Sequence, residues 1–463
     1  MTGVTFQTTI AALATAPHPA GIAIIRVSGP ESKMALREIF RSLKDPIEHP
    51  RMMVVGEILD FGSKQIIDTA IAVFMPQPNS FTGEDVVEFQ FHGSPLLVTK
   101  ILRSLYAYGI TPAQPGEFSK RAFLSGKLDL AQAEAIADLI NATSESALYL
   151  ASQQLKGRFS KIVSDLGEPL RDALAEIEAS IDFPEEDIEP NKLEQIADSL
   201  GKTNHELAKL INSYALGIVV KEGYRVLFCG PPNVGKSSLM NLLLGNSRVI
   251  VTEEPGTTRD IIEEQANIEG FHFIFCDSAG IRETENKVEK IGIELAIDKI
   301  ALADLVLLVV DADDNVKSWE SVLPYLKEKA KKVWLVVNKI DLNQAAIGAI
   351  TCDLKVCEQS FYISAKEKSG IEILTSALVE EVKRGVNISA EANHILTNER
   401  HRDCLSEAKI GVEHALKAIA DNLPIEIVSA EIRSALRSLE ELIGRTYDED
   451  ILGKIFSKFC IGK

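Results

Sequence analysis

The run Tyr224-Arg225-Val226-Leu227-Phe228-Cys229-Gly230-Pro231-Pro232-Asn233-Val234-Gly235-Lys236-Ser237 decides the fold. Its first six residues read as a buried parallel strand, and Ser238 to Leu244 reads as the helix that follows. Between them lies G-x-x-x-x-G-K-S, a phosphate loop in the strand–loop–helix setting its mechanism requires. Glycines let main-chain N–H groups turn inward around phosphate oxygens, and the positive end of the helix dipole adds to them. Lys236 is expected to reach the β- and γ-phosphates, and the Ser237 hydroxyl to ligate Mg²⁺.

Outward from this run the pattern is a strand alternating with a helix. Tyr224–Cys229, Phe271–Cys276, Leu305–Val310, Val333–Val337 and Phe361–Ile363 predict an open, mainly parallel sheet. On either side the period becomes helical. Leu128, Ala131, Ala135 and Leu139 recur at helical spacing, as do Leu405, Ala408, Val412, Ala415 and Ile419. A helix is expected from Asn191 to Ala215, ending at Gly217. Residues 1 to about 125 read as a separate mixed α/β domain. Its strands are Gly21–Ser28, Met52–Leu59, Thr69–Met75 and Val86–Gln90, and its helix, Pro95–Tyr108, stops at Gly109. The expectation is a multidomain α/β plus all-α protein. It has an N-terminal domain over 1–125, a helical domain in two parts over 126–218 and 385–463, and an α/β domain inserted between them over 219–384.

Composition bounds the reading. At 463 residues, 46% apolar and 25% charged, the chain is ordinary for a globular protein of several domains. No run approaches the ~20 apolar residues of a membrane span, and no signal-peptide pattern opens the chain. Scattered cysteines predict reduced thiols in the cytoplasm, and Cys352 and Cys357 lack a second ligand pair for zinc. His394, His401, Cys404 and His414 do not gather on one helical face and read as surface or interface residues. A net charge of −18 argues against a broad nucleic-acid footprint, so any RNA contact must be local or supplied by a partner.

Four further motifs follow the loop in workable order. Pro255-Gly256-Thr257-Thr258-Arg259-Asp260 can bring a threonine hydroxyl to Mg²⁺ and an N–H to the γ-phosphate. In Asp277-Ser278-Ala279-Gly280, Asp277 would hold the metal through water and the Gly280 N–H would sense the γ-phosphate. In Asn338-Lys339-Ile340-Asp341, the Asp341 carboxylate can accept from guanine N1–H and the 2-amino group, a donor pair adenine lacks. Ser364-Ala365-Lys366 closes over the base. One tetrapeptide is weak; five signals in order specify a guanine-nucleotide hydrolase. Ile281 stands where signalling GTPases carry a water-orienting glutamine. No obvious arginine finger stands out, although Arg259 and Arg282 are nearby candidates. Asn233 can offer its side-chain oxygen to a monovalent cation, K⁺, beside the β/γ bridge. In the N-terminal domain, Arg26 and Glu88 sit inside strands. They either point outward on alternating strands or form a pocket of a cation and a carboxylate.

These motifs, together with the helical flanks, Pro78-Asn79-Ser80-Phe81-Thr82-Gly83-Glu84-Asp85 and the terminal Cys460-Ile461-Gly462-Lys463, resemble the MnmE (TrmE) family of tRNA modification GTPases, of the TrmE-Era-EngA type. The resemblance covers essentially the whole chain. It implies a folate-binding, dimer-forming N-terminal domain, a helical domain and an inserted Ras-like G domain. It implies a homodimer that works with the flavoprotein MnmG (GidA) in a heterotetramer-type complex. The modification is a carboxymethylaminomethyl-type group on C5 of the wobble uridine, position 34, of tRNA.

By the same resemblance, nucleotide contacts fall on Asn233, Val234, Gly235, Lys236, Ser237 and Ser238, then on Thr252, Glu253, Glu254, Pro255, Gly256, Thr257 and Thr258. They continue at Asp277, Ser278, Ala279 and Gly280, at Asn338, Lys339 and Asp341, and at Ser364, Ala365 and Lys366. Ser237 and Thr258 would hold Mg²⁺. Asn233, Thr252, the Glu254 carbonyl and Thr257 would hold K⁺. Glu289 would position the hydrolytic water, with Lys236, Thr258 and Arg259 beside the transferring phosphate. Arg26, Glu88, Lys127 and Lys463 would line a site for a 5-formyltetrahydrofolate-type folate, and Cys460 matches a terminal cysteine of the family, whose placement near that site requires the tail to fold back. The competing readings are a ribosome-assembly GTPase of Era/EngA type, a dynamin-type switch, and a folate enzyme merely regulated by GTP.

Overall fold

A computed structural model describes residues 6–182, 190–245, 263–277, 299–313, 323–350, 356–385 and 395–463. The chain divides into two compact units: residues 1–140, 151–207 and 403–463 form one, and residues 141–150 and 208–402 the other.

The first unit holds a seven-stranded sheet in the order β3-β4-β5-β6-β2-β1-β7. Its strands are β1 (Ile10–Leu13), β2 (Ala20–Ser28), β3 (Phe40–Ser42), β4 (Val54–Leu59), β5 (Ile66–Met75), β6 (Val86–Gly93) and β7 (Thr111–Pro112). Neighbours are antiparallel except β1 and β7. Helices α1 (Ser32–Ile39) and α2 (Pro95–Tyr108) cover the sheet, and their Leu36, Ile39, Ile101 and Leu105 join Ile25, Val27 and Phe89 in its core. Pro95 opens α2 and Gly109 closes it in the left-handed conformation, as the sequence predicts. The short strands β1, β3 and β7 go beyond the sequence reading, because two to four residues carry too little alternation to register.

Helices α3 (Glu117–Leu124), α4 (Leu130–Ile140), α5 (Glu145–Leu155), α6 (Arg158–Asp182) and α7 (Pro190–Asn212) follow. In the second unit come α8 (Tyr214–Glu222), α9 (Lys236–Gly245), α10 (Leu323–Lys329) and α11 (Ile371–Gly385). The chain ends with α12 (Glu399–Ala420), α13 (Ile425–Ile443) and α14 (Glu449–Phe456). The apolar stripe Leu405, Ala408, Val412 and Ala415 of α12 is fully buried. Gly217 does not end a helix: it lies inside α8, where an added Cβ would stand 1.9 Å from the Leu396 carbonyl oxygen. The glycine is there for a close crossing of two chain segments. His401, read as a surface or interface residue, is 1% exposed. Cys357 is buried and disulfide-bonded, which departs from wholly reduced thiols. No helix among the described residues is long and apolar enough to cross a membrane.

The sheet of the second unit runs β13-β12-β11-β8-β10-β9. Its strands are β8 (Tyr224–Cys229), β9 (Glu263–Ile268), β10 (Phe271–Asp277), β11 (Leu305–Asp311), β12 (Val333–Asn338) and β13 (Gln359–Tyr362). All pairs are parallel except the β9 edge. Val226, Phe228, Phe275, Leu307 and Val309 pack on one face with Leu239 and Leu243 of α9 and Leu374 of α11. Leu227, Ile274, Val306, Leu308 and Leu335 pack on the other face with Leu326 of α10. Burial on both faces is why these strands read as continuous apolar runs. The carboxyl ends of β8, β10, β11 and β12 therefore share one edge, where open α/β sheets place their ligands.

Candidate functional site: a phosphate loop and a charged cluster

The phosphate loop leaves β8 at this edge and enters α9 at Lys236. Gly230 has φ +141°, and an added Cβ would lie 2.1 Å from the Val309 carbonyl oxygen of β11. Only glycine lets the chain turn there without displacing the neighbouring strand. Lys236 is 7% exposed and donates to the carbonyls of Gly230, at 2.8 Å, and Pro231, at 2.7 Å. Burial lowers the pKa of its ammonium, with Asp277 opposing the shift. A desolvated ammonium on two carbonyls is poised to exchange them for anionic phosphate oxygens, which favour it far more.

The Ser237 hydroxyl donates to Asp277 Oδ2 at 2.9 Å. A hydroxyl and a carboxylate this close are a hard-oxygen pair whose chemistry fits a divalent cation such as Mg²⁺. Asn338 acts as a rivet: its amide nitrogen donates to the Val234 carbonyl at 2.8 Å, and its oxygen accepts from Ala365 N at 3.0 Å. It thereby fixes the phosphate loop to the Ser364-Ala365-Lys366 segment. Asp341 accepts from the Ser364 hydroxyl at 2.6 Å, which orients its carboxylate. Lys339 Nζ lies 2.8 Å from the Asn233 carbonyl and 2.7 Å from Asp311 Oδ2. Asn233 is exposed and in the left-handed conformation at φ 64°. Ser238 is exposed on the first turn of α9, and Lys366 is exposed in its loop.

Thr252, Glu253, Glu254, Pro255, Gly256, Thr257, Thr258 and Arg259 lie outside the described residues, as do Ser278, Ala279, Gly280, Ile281, Arg282 and Glu289.

In the first unit the register of β2 and β6 sets Arg26 opposite Glu88. The two side chains form an ion pair at 2.8 Å and are 19% and 18% exposed. Arg26 and Glu88 alternate with the core residues Ile25, Val27, Val87 and Phe89, and pair with each other on the opposite face of the sheet. The Arg26 guanidinium lies 5.4 Å from the Phe81 ring centroid and 5.7 Å from that of Phe118, in cation–π range of both. The tail folds back here: Gly116 N donates to the Cys460 carbonyl at 3.4 Å and Phe118 N to the Lys463 main-chain oxygen at 3.2 Å. Cys460 is a free, exposed thiol. Lys127 is exposed, and its Cε would be 3.4 Å from a Cβ at Gly83.

Sequence reasoning passed over Arg121, which is 2% exposed. It pairs with Glu84 at 3.2 Å and Glu117 at 2.8 Å, and donates to the Thr8 carbonyl at 2.8 Å. It ties the 78–85 loop to α3, and nothing in a helical period announces such a role. Asp311 was also missed, although an acid ending an apolar strand at the ligand edge is a readable signal.

A doubly covered parallel sheet, with a phosphate loop at its carboxyl edge and the Asn338-Lys339-Ile340-Asp341 run bonded to that loop, defines a P-loop GTPase. The family profile described as the MnmE helical domain matches residues 130–460. That of the GTP-binding protein TrmE N-terminus matches residues 9–127. The tRNA modification GTPase MnmE of Alkaliphilus oremlandii is 40% identical over 462 residues, covering 98% of this chain and 99% of its own length. That of Geobacter sulfurreducens is 40% identical over 461 residues, covering 99% of each. That of Clostridioides difficile is 39% identical over 458 residues, covering 98% of this chain and 99% of its own. The chain belongs to the MnmE family of tRNA modification GTPases.

Proposed function

We propose that this GTPase is K⁺-stimulated and works in the cytoplasm with the flavoprotein MnmG (GidA). Together they place a carboxymethylaminomethyl-type group on C5 of the wobble uridine, position 34, of tRNA. The observation that carries the reading is the pairing, in one chain, of a phosphate loop with an Arg26–Glu88 cluster flanked by Phe81 and by Phe118, whose main chain binds the Cys460–Lys463 tail.

Each group has a defined task. Lys236 gives up its carbonyl partners to bind phosphate oxygens. Ser237 and Thr258 offer their hydroxyls to Mg²⁺, which when bound neutralises phosphate charge. Asn233, Thr252, the Glu254 carbonyl and Thr257 supply oxygens for K⁺, which when bound adds positive charge beside the bridging oxygen. Asp341 selects guanine. Glu289 orients the hydrolytic water, and Arg259 stays close to the transferring phosphate. Arg26, Lys127 and Lys463 suit the carboxylates of a 5-formyltetrahydrofolate-type folate, and Glu88 its amine edge. Cys460 adds an exposed thiol beside that site. The domains divide at 1–125, 126–218, 219–384 and 385–463, and two copies pair through their N-terminal domains.

Mass analysis of wobble nucleosides tests the reading. Cells lacking the chain should lose the modified uridine, and Glu289→Ala should fail to restore it while binding GTP with nearly unchanged affinity. Normal turnover in that variant would remove Glu289 from the mechanism. Separately, hydrolysis should be faster in K⁺ than in Na⁺, and equal rates would remove the monovalent ion.

A further inference from the structure

We propose that Asp311 is a positioning residue for guanine-nucleotide binding, acting through Lys339 on the turn of the phosphate loop. The proposal rests on the hydrolase reading of this site and deepens it.

Asp311 closes β11 at the carboxyl edge of the sheet. Both its carboxylate oxygens are committed: Oδ1 accepts from Asp313 N at 3.0 Å, and Oδ2 accepts from Lys339 Nζ at 2.7 Å. The same ammonium donates to the Asn233 carbonyl at 2.8 Å. The Asp311 and Lys339 side chains are 23% and 34% exposed, so water competes only in part for the pair. Asn233 is a non-glycine residue at φ 64°, a conformation that persists only where surrounding bonds hold it. The hold on its carbonyl is the lysine, and the hold on the lysine is Asp311. A lysine ammonium is a point charge on a flexible stem, so one bond to a carbonyl does not orient it. A second, charge-assisted bond from a strand end does.

Asn233 immediately precedes Val234, Gly235 and Lys236, the run whose main chain cradles phosphate. The Asn338 rivet holds the Val234 carbonyl, one residue further on. Loosening the Asn233 carbonyl would therefore disturb the phosphate end of the site and leave base reading by Asp341 intact. Affinity should fall equally for guanine and hypoxanthine nucleotides.

The test is release of fluorescently labelled GDP, and of labelled IDP, from the full chain by stopped flow. D311N keeps the side chain's shape and removes its charge; it should release GDP roughly tenfold faster. D311E, which restores the charge, should recover most of the loss. The GDP-to-IDP preference should stay as in the wild type, and so should the urea midpoint of the nucleotide-free protein. The double variant D311N/K339M should be no worse than K339M alone, because both break one linkage. Release from D311N within twofold of wild type, an equal loss in D311E, or additive losses in the double variant would overturn the assignment. If the wild type itself bound no GDP, the hydrolase reading would fall and this inference with it. Normal wild-type binding with an unaltered D311N would sink the inference alone.

Discussion

The chain carries two charged sites built from different materials. At 230–237 the shape is set by the main chain of one short loop, and side chains such as Asn338 and Lys339 hold that loop in place. At Arg26 and Glu88 the charged groups are side chains, brought together from β2 and β6 and flanked by Phe81 and by Phe118 of α3, whose main-chain N–H binds the Lys463 main-chain oxygen. The first site should fail when its backbone cannot adopt the required conformation. The second should fail when its charges lose their partners.

The largest effect is expected at Gly230. Gly230→Ala places a methyl group 2.1 Å from a strand carbonyl at φ +141°. It should abolish GDP binding and cost roughly 3 kcal/mol of stability, read by urea titration with and without GDP. Wild-type GDP affinity in this variant would mean that main-chain conformation does not build the site, and the contrast between the two regions would break.

A smaller effect is expected at the ion pair. Arg26→Ala, Glu88→Ala and the double variant form a cycle whose coupling energy should be about 1–3 kcal/mol, because each single change strands a largely buried charge. A coupling near zero would show that solvent, not the partner, satisfies these groups.

The smallest effect concerns His272 in β10, which is 6% exposed, and whose Nδ1 finds no hydrogen-bond partner among the described residues. Burial holds its pKa below the ordinary value of about 6.5. The unfolded chain therefore takes up a proton first as pH falls, so stability should decrease as pH drops through about 6.5. Thermal melts between pH 7.5 and 5.5 should show this slope, and His272→Gln should flatten it. An equal slope in the variant would assign the effect to other groups. The ring lies where a Cβ on Gly223 would come within 2.5 Å, so the measurement also reports on the junction of α8 with β8.

Much of the second unit was readable in advance because its parallel strands are buried on both faces and its loop motifs are contiguous. Tyr224–Cys229 matches the strand read from the sequence, and Phe271–Asp277 and Leu305–Asp311 extend their predictions by one residue. The edge strand β9, Glu263–Ile268, escaped because its outer residues are exposed and polar. Gly217 misled because a glycine in a helical run can mark either a stop or a close contact, and only the Leu396 carbonyl distinguishes them. Arg121 was invisible for a related reason: Glu117 is its neighbour one helical turn back, but its burial also depends on Glu84 and the Thr8 carbonyl arriving from distant parts of the chain.

The sequence by itself determined the phosphate loop, the Asn338-Lys339-Ile340-Asp341 run and the alternation of strand and helix around them. Each of these depends on residues adjacent in the chain or on a period within one element. Only the tertiary structure decided that Arg26 meets Glu88, that the terminal tail binds α3, and that Asp311 reaches Lys339. Those contacts join segments far apart in sequence, and their geometry exists only once strand register and packing have brought them together.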